Sequence, residues 1–98
     1  MVIDWTGTAK QHLKGIFDYY IEVASKPIAK KLATDIRNAA KPLAKHPEMG
    51  AKEPLLEPED YRYLVVRKHY KLIYYFDSNT IYIVAVWDCR RNPNDLKI

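Results

Sequence analysis

The fold is decided by the stretch YRYLVVRKHYKLIYYFDSNTIYIVAVWD, residues 61–88. It contains three runs rich in β-branched and aromatic residues, the side chains that favour β-strands. Two short polar segments separate the runs, namely Arg67-Lys68-His69 and Asp77-Ser78-Asn79. Successive strands joined by such short turns pair as an antiparallel meander. We therefore predict strands at 61–66, 70–76 and 81–88.

The sequence before the meander begins with a short strand and continues as two helices. Val2-Ile3-Asp4-Trp5 predicts the strand, and Thr8 with Gln11 three residues later matches a helix capping box. Behind this box, apolar residues recur at helical spacing. Ser25-Lys26-Pro27 ends the first helix and begins a second, because proline fits the first turn of a helix but not its interior. The second helix ends before Pro47.

These elements predict one α+β domain over residues 1–98, in the order β-α-α-β-β-β. The N-terminal strand and a helical hairpin are expected to pack on a mostly antiparallel, four-stranded sheet. The two helices form a hairpin because the connection between them is so short. Residues 47–60 contain Pro54 and Pro58 and are predicted to form a loop.

Composition excludes several classes of protein. The 98 residues are 48% hydrophobic and carry a net charge of +4, which fits a single globular domain and excludes wholesale disorder. The single cysteine, Cys89, makes no internal disulfide and no zinc site by itself. The sequence shows no apolar run of about 18 residues, and we expect no signal peptide. We expect a cytoplasmic protein without a membrane partner.

The positive charge is unevenly distributed. Residues 26–45 carry six Lys or Arg against one Asp, and residues 61–98 carry seven against three Asp. Between them, residues 46–60 carry five acidic residues against one Lys. Because local fields steer partners, this pattern indicates two cationic surfaces separated by an acidic loop.

Motifs of common enzyme classes are absent. The histidines His12, His46 and His69 show no metal-ligand spacing with one another or with Cys89. No P-loop, Rossmann fingerprint or nucleophile elbow occurs. We therefore predict no metal and no cofactor, and we expect His12 to be a solvated residue on the polar side of the first helix.

The strands instead combine cations with aromatic rings, a mixture suited to RNA because cations neutralise phosphates and rings stack on bases. The cations are Arg62, Arg67, Lys68, Lys71, Arg90 and Arg91. The register of the first hairpin determines whether two of them form a shared anion site. A two-residue turn places Arg62 and Lys71 on one face of the sheet, whereas a three-residue turn pairs Val66 with Tyr70 and separates them. The sequence leaves both registers open, since neither turn carries an Asn-Gly signal.

At this point the chain resembles the RelE/ParE superfamily, the toxins of type II toxin–antitoxin modules, which include the plasmid stabilisation proteins. The resemblance covers essentially the whole chain and depends on the order and spacing of several short patterns. They are Trp5-Thr6, Leu43-x-x-x-Pro47-x-x-Gly50, Tyr61-Arg62-Tyr63-Leu64-Val65-Val66, Tyr70-x-Leu72-Ile73-Tyr74, Ile81-x-Ile83-x-x-Val86 and Asp88-x-Arg90-x-Asn92-Pro93. The family fold implied by the resemblance has the same β-α-α-β-β-β order.

The RelE-like branch implies an mRNA interferase, a ribosome-dependent endoribonuclease that cleaves mRNA and arrests growth. By position, the resemblance assigns charge stabilisation to Arg62, Lys71 and Arg90, and we add a substrate-binding set of Arg67, Lys68, Arg91 and Tyr82. A further basic position of this branch is Leu64 here, and the C-terminal tyrosine of the branch corresponds to Leu96. A nuclease of this kind is the leading hypothesis from the sequence.

The ParE-like branch implies a gyrase inhibitor that poisons DNA gyrase without a catalytic set, and this is the alternative. Here Lys30, Arg37 and Lys41 on the second helix would bind the partner. Both branches imply a cognate antitoxin, whose acidic segment would lie over the cationic sheet residues, and operator DNA would be bound only through the toxin–antitoxin complex. A plain RNA-binding domain is the third hypothesis.

Overall fold

Two helices pack on one face of a five-stranded sheet in the computed structural model of the chain, which describes residues 1–56 and 60–96. The helices are α1 (Gly7–Val23) and α2 (Lys26–Ala40), and α2 continues into a 3₁₀ turn at Lys41–Ala44. The strands are β1 (Val2–Trp5), β2 (Ala51–Lys52), β3 (Arg62–Val66), β4 (Tyr70–Phe76) and β5 (Thr80–Asp88). A second 3₁₀ turn, Pro93–Asp95, follows the last strand.

The strands lie in the order β1-β5-β4-β3-β2, with β1 parallel to β5 and all other pairs antiparallel. The α+β class and the three-stranded meander are confirmed. The prediction of four strands was wrong, because the expected loop at 47–60 contains β2, whose Ala51 pairs with Tyr63. Glu57, Pro58 and Glu59 of that acidic segment lie outside the described residues.

Both helices begin at a side-chain cap. Ser25 accepts a hydrogen bond from the Ile28 amide at 3.3 Å, and Pro27 occupies the first turn of α2, as the sequence predicted. The cap of α1 is Thr6 and not Thr8, since Thr6 Oγ1 accepts the bond from the Ala9 amide. The capping-box prediction was therefore displaced by two residues.

The core lies between the helices and the sheet. Apolar residues of α1 and α2 pack against one face of the strands, and the largest fully buried side chains of this layer are Ile36, Leu43, Leu72, Tyr74, Ile81 and Ile83. A smaller cluster on the opposite face contains Ile73, Val84, Ala85 and Trp87, against which Leu56 and Leu96 pack. Much of β4 and β5 is thus buried on both faces, which accounts for their nearly continuous apolar sequence.

The hairpin between β3 and β4 adopts the three-residue register. Val66 pairs with Tyr70, and the turn between them places Arg67 at φ 54° and Lys68 at φ 65°. Arg62 consequently pairs with Tyr74 on the face that packs on the helices, while Lys71 lies on the opposite face. The structure thereby resolves the choice that the sequence left open.

A polar clamp fixes the segment that leads from α2 to β2. The buried Tyr74 hydroxyl donates to the Pro47 carbonyl at 2.7 Å and accepts from the Gly50 amide at 2.8 Å. A Cβ on Gly50 would lie 2.6 Å from Tyr74 Oη and 2.7 Å from the Tyr63 carbonyl oxygen. Only glycine fits this close approach, so the Leu-x-x-x-Pro-x-x-Gly pattern has a structural role here.

His12 is part of the fold and not a solvated residue, which corrects the sequence prediction. Its Nδ1 atom accepts a hydrogen bond at 3.2 Å from the Val86 amide, in the half of β5 beyond its pairing with β1. Partial burial, and then the charge of Arg91, lower the pKa of His12 below its usual value. The neutral ring is the form that the fold requires, because a protonated Nδ1 accepts no hydrogen bond.

Gly50→Ala should lower the free energy of unfolding by about 1–3 kcal/mol, because the new methyl group overlaps the Tyr74 clamp. Gly7→Ala is the matched control, since a Cβ on Gly7 meets nothing within 4 Å. Urea unfolding followed by circular dichroism measures both variants. Equal stabilities for the two would contradict the clamp.

Stability should fall as pH decreases through the region below about 6.5. With its pKa lowered in the folded state, His12 binds fewer protons there than in the unfolded chain, so stability rises with pH across this window. His12→Asn keeps an acceptor near the Nδ1 position but does not titrate. We expect the urea midpoint of this variant to change less between pH 7.5 and 5.5 than that of the wild type. Identical pH slopes would contradict the assignment.

Candidate functional site

The structure does not bring together the three candidate catalytic cations. Arg62 lies on the helix-packed face of β3, Lys71 lies on the opposite face of β4, and Arg90 follows the end of β5. Each of the three also has partners within the chain. A nuclease that stabilises a phosphate by charge would need these cations to converge on one site.

Lys71 is paired with a buried carboxylate. Its Nζ atom lies 2.9 Å from Glu53 Oε2, and the side chain of Glu53 is fully buried. The same ammonium group lies 4.3 Å from the centre of the Tyr63 ring. Glu53 also accepts a hydrogen bond from the Leu55 amide, so this pair holds the segment after β2 against the outer face of the sheet. These contacts use the charge of Lys71 within the fold.

Arg62 binds backbone carbonyl oxygens. Its Nη1 atom donates to Gly50 at 2.8 Å and to Glu48 at 3.3 Å, while its Nε atom is buried and has no hydrogen-bond partner among the described residues. The guanidinium group therefore lies against the segment that the Tyr74 clamp also holds. Arg62 therefore supports the segment before β2.

Arg90 forms a bidentate ion pair. Its Nε and Nη2 atoms donate to the two carboxylate oxygens of Asp88 at 3.0 and 2.9 Å, and this hydrogen bonding lowers the pKa of Asp88. Arg91, the next residue, lies over the Trp87 ring with its guanidinium carbon 4.7 Å from the ring centre. Arg90 and Arg91 are both exposed.

The other predicted substrate-binding residues are dispersed. Arg67 forms an ion pair with Asp35 of α2, Lys68 is exposed at the tip of the hairpin, and the Tyr82 ring stacks on Tyr75 at 4.9 Å. The Arg67 hydrogen bond lowers the pKa of Asp35. No single surface of the described residues contains these predicted substrate-binding residues together with Arg62 and Lys71. Their assigned RNA-binding roles stay predictions.

Two concave surfaces flank α1, and each mixes apolar and charged side chains. The first, which we call the helical groove, lies between α1 and α2 and has a volume of about 710 Å³. Its apolar lining comprises Trp5, Leu13, Phe17 and Ala33. Its polar lining comprises Lys10, Lys14, Lys30, Thr34 and Arg37. Four cations therefore surround an apolar floor.

The helical groove contains two of the three predicted partner-binding cations. Lys30 and Arg37 line it, whereas Lys41 does not. Lys10 and Lys14 of α1 also line the groove and were not among the predicted partner-binding residues. The signal that identifies them is their helical spacing beside the apolar Leu13 and Phe17, which places cations at the border of the buried stripe.

The second surface, the strand-end cleft, lies between α1 and the end of β5 and has a volume of about 610 Å³. On the α1 side it is lined by Gln11, His12, Gly15, Ile16, Tyr19 and Tyr20. On the strand side it is lined by Tyr70, Val86, Trp87, Asp88, Arg90 and Arg91. None of the α1 residues was a predicted site residue, because their proximity to the end of β5 is a tertiary contact.

Two tyrosines of the strand-end cleft are hydrogen-bonded. The Tyr70 hydroxyl donates to Tyr20 at 3.3 Å. This bond, together with hydrogen bonding from Arg90, lowers the pKa of Tyr20, whereas burial and the bond to Tyr20 raise the pKa of Tyr70. Tyr20, Tyr70, Asp88 and Arg90 thus form one polar network in the lining of the cleft.

The described part of the chain contains neither a cluster of metal ligands nor a membrane-spanning helix. Residues 1–56 and 60–96 contain no group of three His, Cys, Asp or Glu side chains placed to hold a metal ion. Within the same residues, no helix has the length and apolar character needed to span a bilayer.

Comparison with known proteins identifies the family. No curated protein matches the chain significantly. A solved structure described as the chromosomal ParDE TA system from P. aeruginosa is similar, with a TM-score of 0.77 and 26% sequence identity over 90% of this chain and 95% of that chain. Residues 3–93 match the family described as the ParE toxin of type II toxin-antitoxin system, parDE. The chain therefore belongs to the ParE toxin family within the RelE/ParE superfamily, a membership that implies a cognate antitoxin.

Proposed function

We propose that this toxin arrests growth by binding DNA gyrase as a non-catalytic inhibitor, with the helical groove as the contact surface. The observation that carries the proposal is the contrast between two sets of cations. Arg62, Lys71 and Arg90 are separated and engaged by the chain itself, whereas Lys10, Lys14, Lys30 and Arg37 converge on one apolar groove. Membership in the ParE family supports the same choice.

Cleavage of mRNA, the first expectation from the sequence, has less support. It requires cations free to bind a phosphate and a group that moves protons. Lys71 is paired with buried Glu53, and Arg90 is held by Asp88. Leu96 occupies the position of the branch's C-terminal tyrosine and packs against the cluster around Trp87.

The helical groove has the character of a protein-binding surface. Its apolar residues provide area to bury, and cations at its border steer an acidic partner and set the orientation in which it docks. Lys14 is partly neutralised by Asp18, at 2.6 Å, while Lys30 and Arg37 form no ion pair among the described residues. The two α2 cations are therefore the better targets for charge reversal.

Purified toxin should inhibit supercoiling by gyrase and leave mRNA intact in a translation extract. Both assays use the same toxin preparation, and the toxin bound to its antitoxin is the negative control. Ribosome-dependent cuts in mRNA, detected by primer extension, together with unimpaired gyrase, would overturn the proposed function.

Reversing the groove charges should weaken gyrase inhibition. We expect Lys30→Glu combined with Arg37→Glu to raise the inhibitory concentration by about tenfold or more, because border charges contribute to association. Lys26→Glu combined with Lys45→Glu makes the same change in net charge at exposed positions outside the groove. An equal loss in both double variants would indicate a general charge effect and not a groove.

The ion pair between Lys71 and the buried Glu53 provides a separate test of the nuclease hypothesis. Lys71→Met alone should cost about 3 kcal/mol of stability, because it leaves Glu53 buried and unpaired. Glu53→Gln combined with Lys71→Met removes both charges and should fold and arrest growth like the wild type. If the double variant has wild-type thermal stability but no toxicity, Lys71 acts in the toxic mechanism.

A further inference from the structure

Gly15 occupies a position in α1 where the fold does not require glycine. It lies in the interior of the helix, where glycine is less favourable than any residue except proline. A Cβ at this position would meet nothing within 4 Å. In contrast to Gly50, packing against the described residues does not explain the presence of glycine at this position. Gly15 does line the strand-end cleft.

The strand-end cleft has an apolar wall and an excess of positive charge. Trp87 and Tyr70, which are 5% and 4% exposed, line the cleft together with the half-buried Ile16. Asp88 neutralises Arg90, but Arg91 forms no ion pair among the described residues and stacks on Trp87 instead. The lowered pKa of His12 keeps its ring neutral near pH 7. One cation thus remains available to an acidic ligand.

We propose that the strand-end cleft binds a segment of the cognate antitoxin, whose backbone passes over Gly15. A carboxylate of this segment pairs with Arg91, and an adjacent large apolar side chain enters the cleft against Ile16 and Trp87. The absence of a side chain on Gly15 admits the close approach of the segment. The site is distinct from the helical groove, so the inference does not depend on gyrase as the target.

The charges favour a peptide over a nucleic acid. The Asp88 carboxylate lies on the cleft wall and binds Arg90 through both oxygens, which leaves little positive potential for a chain of phosphates. One unpaired arginine beside an apolar surface instead matches a single carboxylate next to an apolar side chain.

The shape of the site favours the antitoxin over the target enzyme. A cavity of about 610 Å³ between a helix and a strand end accommodates a few side chains of an extended or helical segment. The surface of a folded enzyme does not readily enter such a cavity, whereas a segment that orders on binding does. The antitoxin is also the partner that membership in the family implies.

The test compares Gly15→Gln with Gly7→Gln. Both positions are exposed helical glycines whose Cβ would meet nothing, but only Gly15 lines the cleft. We expect Gly15→Gln to weaken binding of the full-length antitoxin, the product of the adjacent reading frame, by about tenfold or more in calorimetry. Gly7→Gln should change the dissociation constant less than about twofold. Neither variant should lower the melting temperature, since glutamine is a better helix former than glycine.

Arg91→Gln tests the charged part of the site. It should also weaken antitoxin binding, and it should reduce the dependence of the affinity on salt concentration. Inhibition of gyrase by Gly15→Gln, assayed without antitoxin, should equal that of the wild type. Co-expressed antitoxin should then protect cells from the wild type and from Gly7→Gln, but only weakly from Gly15→Gln.

Three results would overturn the inference. The first is a wild-type antitoxin affinity for Gly15→Gln. The second is a loss of gyrase inhibition by this variant at unchanged melting temperature, which would assign the cleft to the target. The third is tight binding of a single-stranded RNA oligonucleotide that Arg91→Gln abolishes. If the wild-type toxin does not inhibit gyrase at all, the proposed function fails, while the antitoxin measurements still decide the present inference.

Discussion

The pairing of Val66 with Tyr70 across a three-residue turn is the constraint on which the functional surfaces depend. Side chains alternate between the faces of a strand, so a change of one residue in this turn would exchange the faces of β4 relative to β3. In the observed register, Arg62 and Tyr74 lie on the helix-facing side and hold Gly50, while Lys71 lies on the outer face and meets Glu53. The register therefore converts two candidate catalytic cations into parts of the scaffold.

Helix α1 connects the scaffold to both concave surfaces. One side of it, with Lys10 and Lys14, borders the helical groove, and another, with His12 and Gly15, borders the strand-end cleft. The bond from the Val86 amide to His12 fixes α1 to β5 beyond the end of β1. A single helix thus separates the two surfaces that we propose as contact sites for gyrase and for the antitoxin.

Much of the fold was predictable from local patterns, because the strand-forming stretch at 61–88 and the Ser25-Pro27 boundary act through propensity and capping. Strand β2 was not, since Ala51 and Lys52 are poor strand formers. Their pairing with β3 follows Gly50, which Arg62 and Tyr74 hold in place. The site was less predictable. Lys30 and Arg37 were identified from their position on α2, but the cleft depends on His12 and Gly15 lying beside Trp87, a contact between residues about 70 positions apart.

Lysine footprinting of the toxin in the presence of gyrase tests the central claim most directly, namely that the helical groove is the toxic surface. Acetylation of exposed lysines, followed by mass spectrometry, reports which side chains a partner covers. If the helical groove is the toxic surface, gyrase shields Lys10 and Lys30 while Lys26 and Lys68 stay reactive. Unchanged reactivity of Lys10 and Lys30 with gyrase, together with shielding of Lys68 by ribosomes, would contradict it.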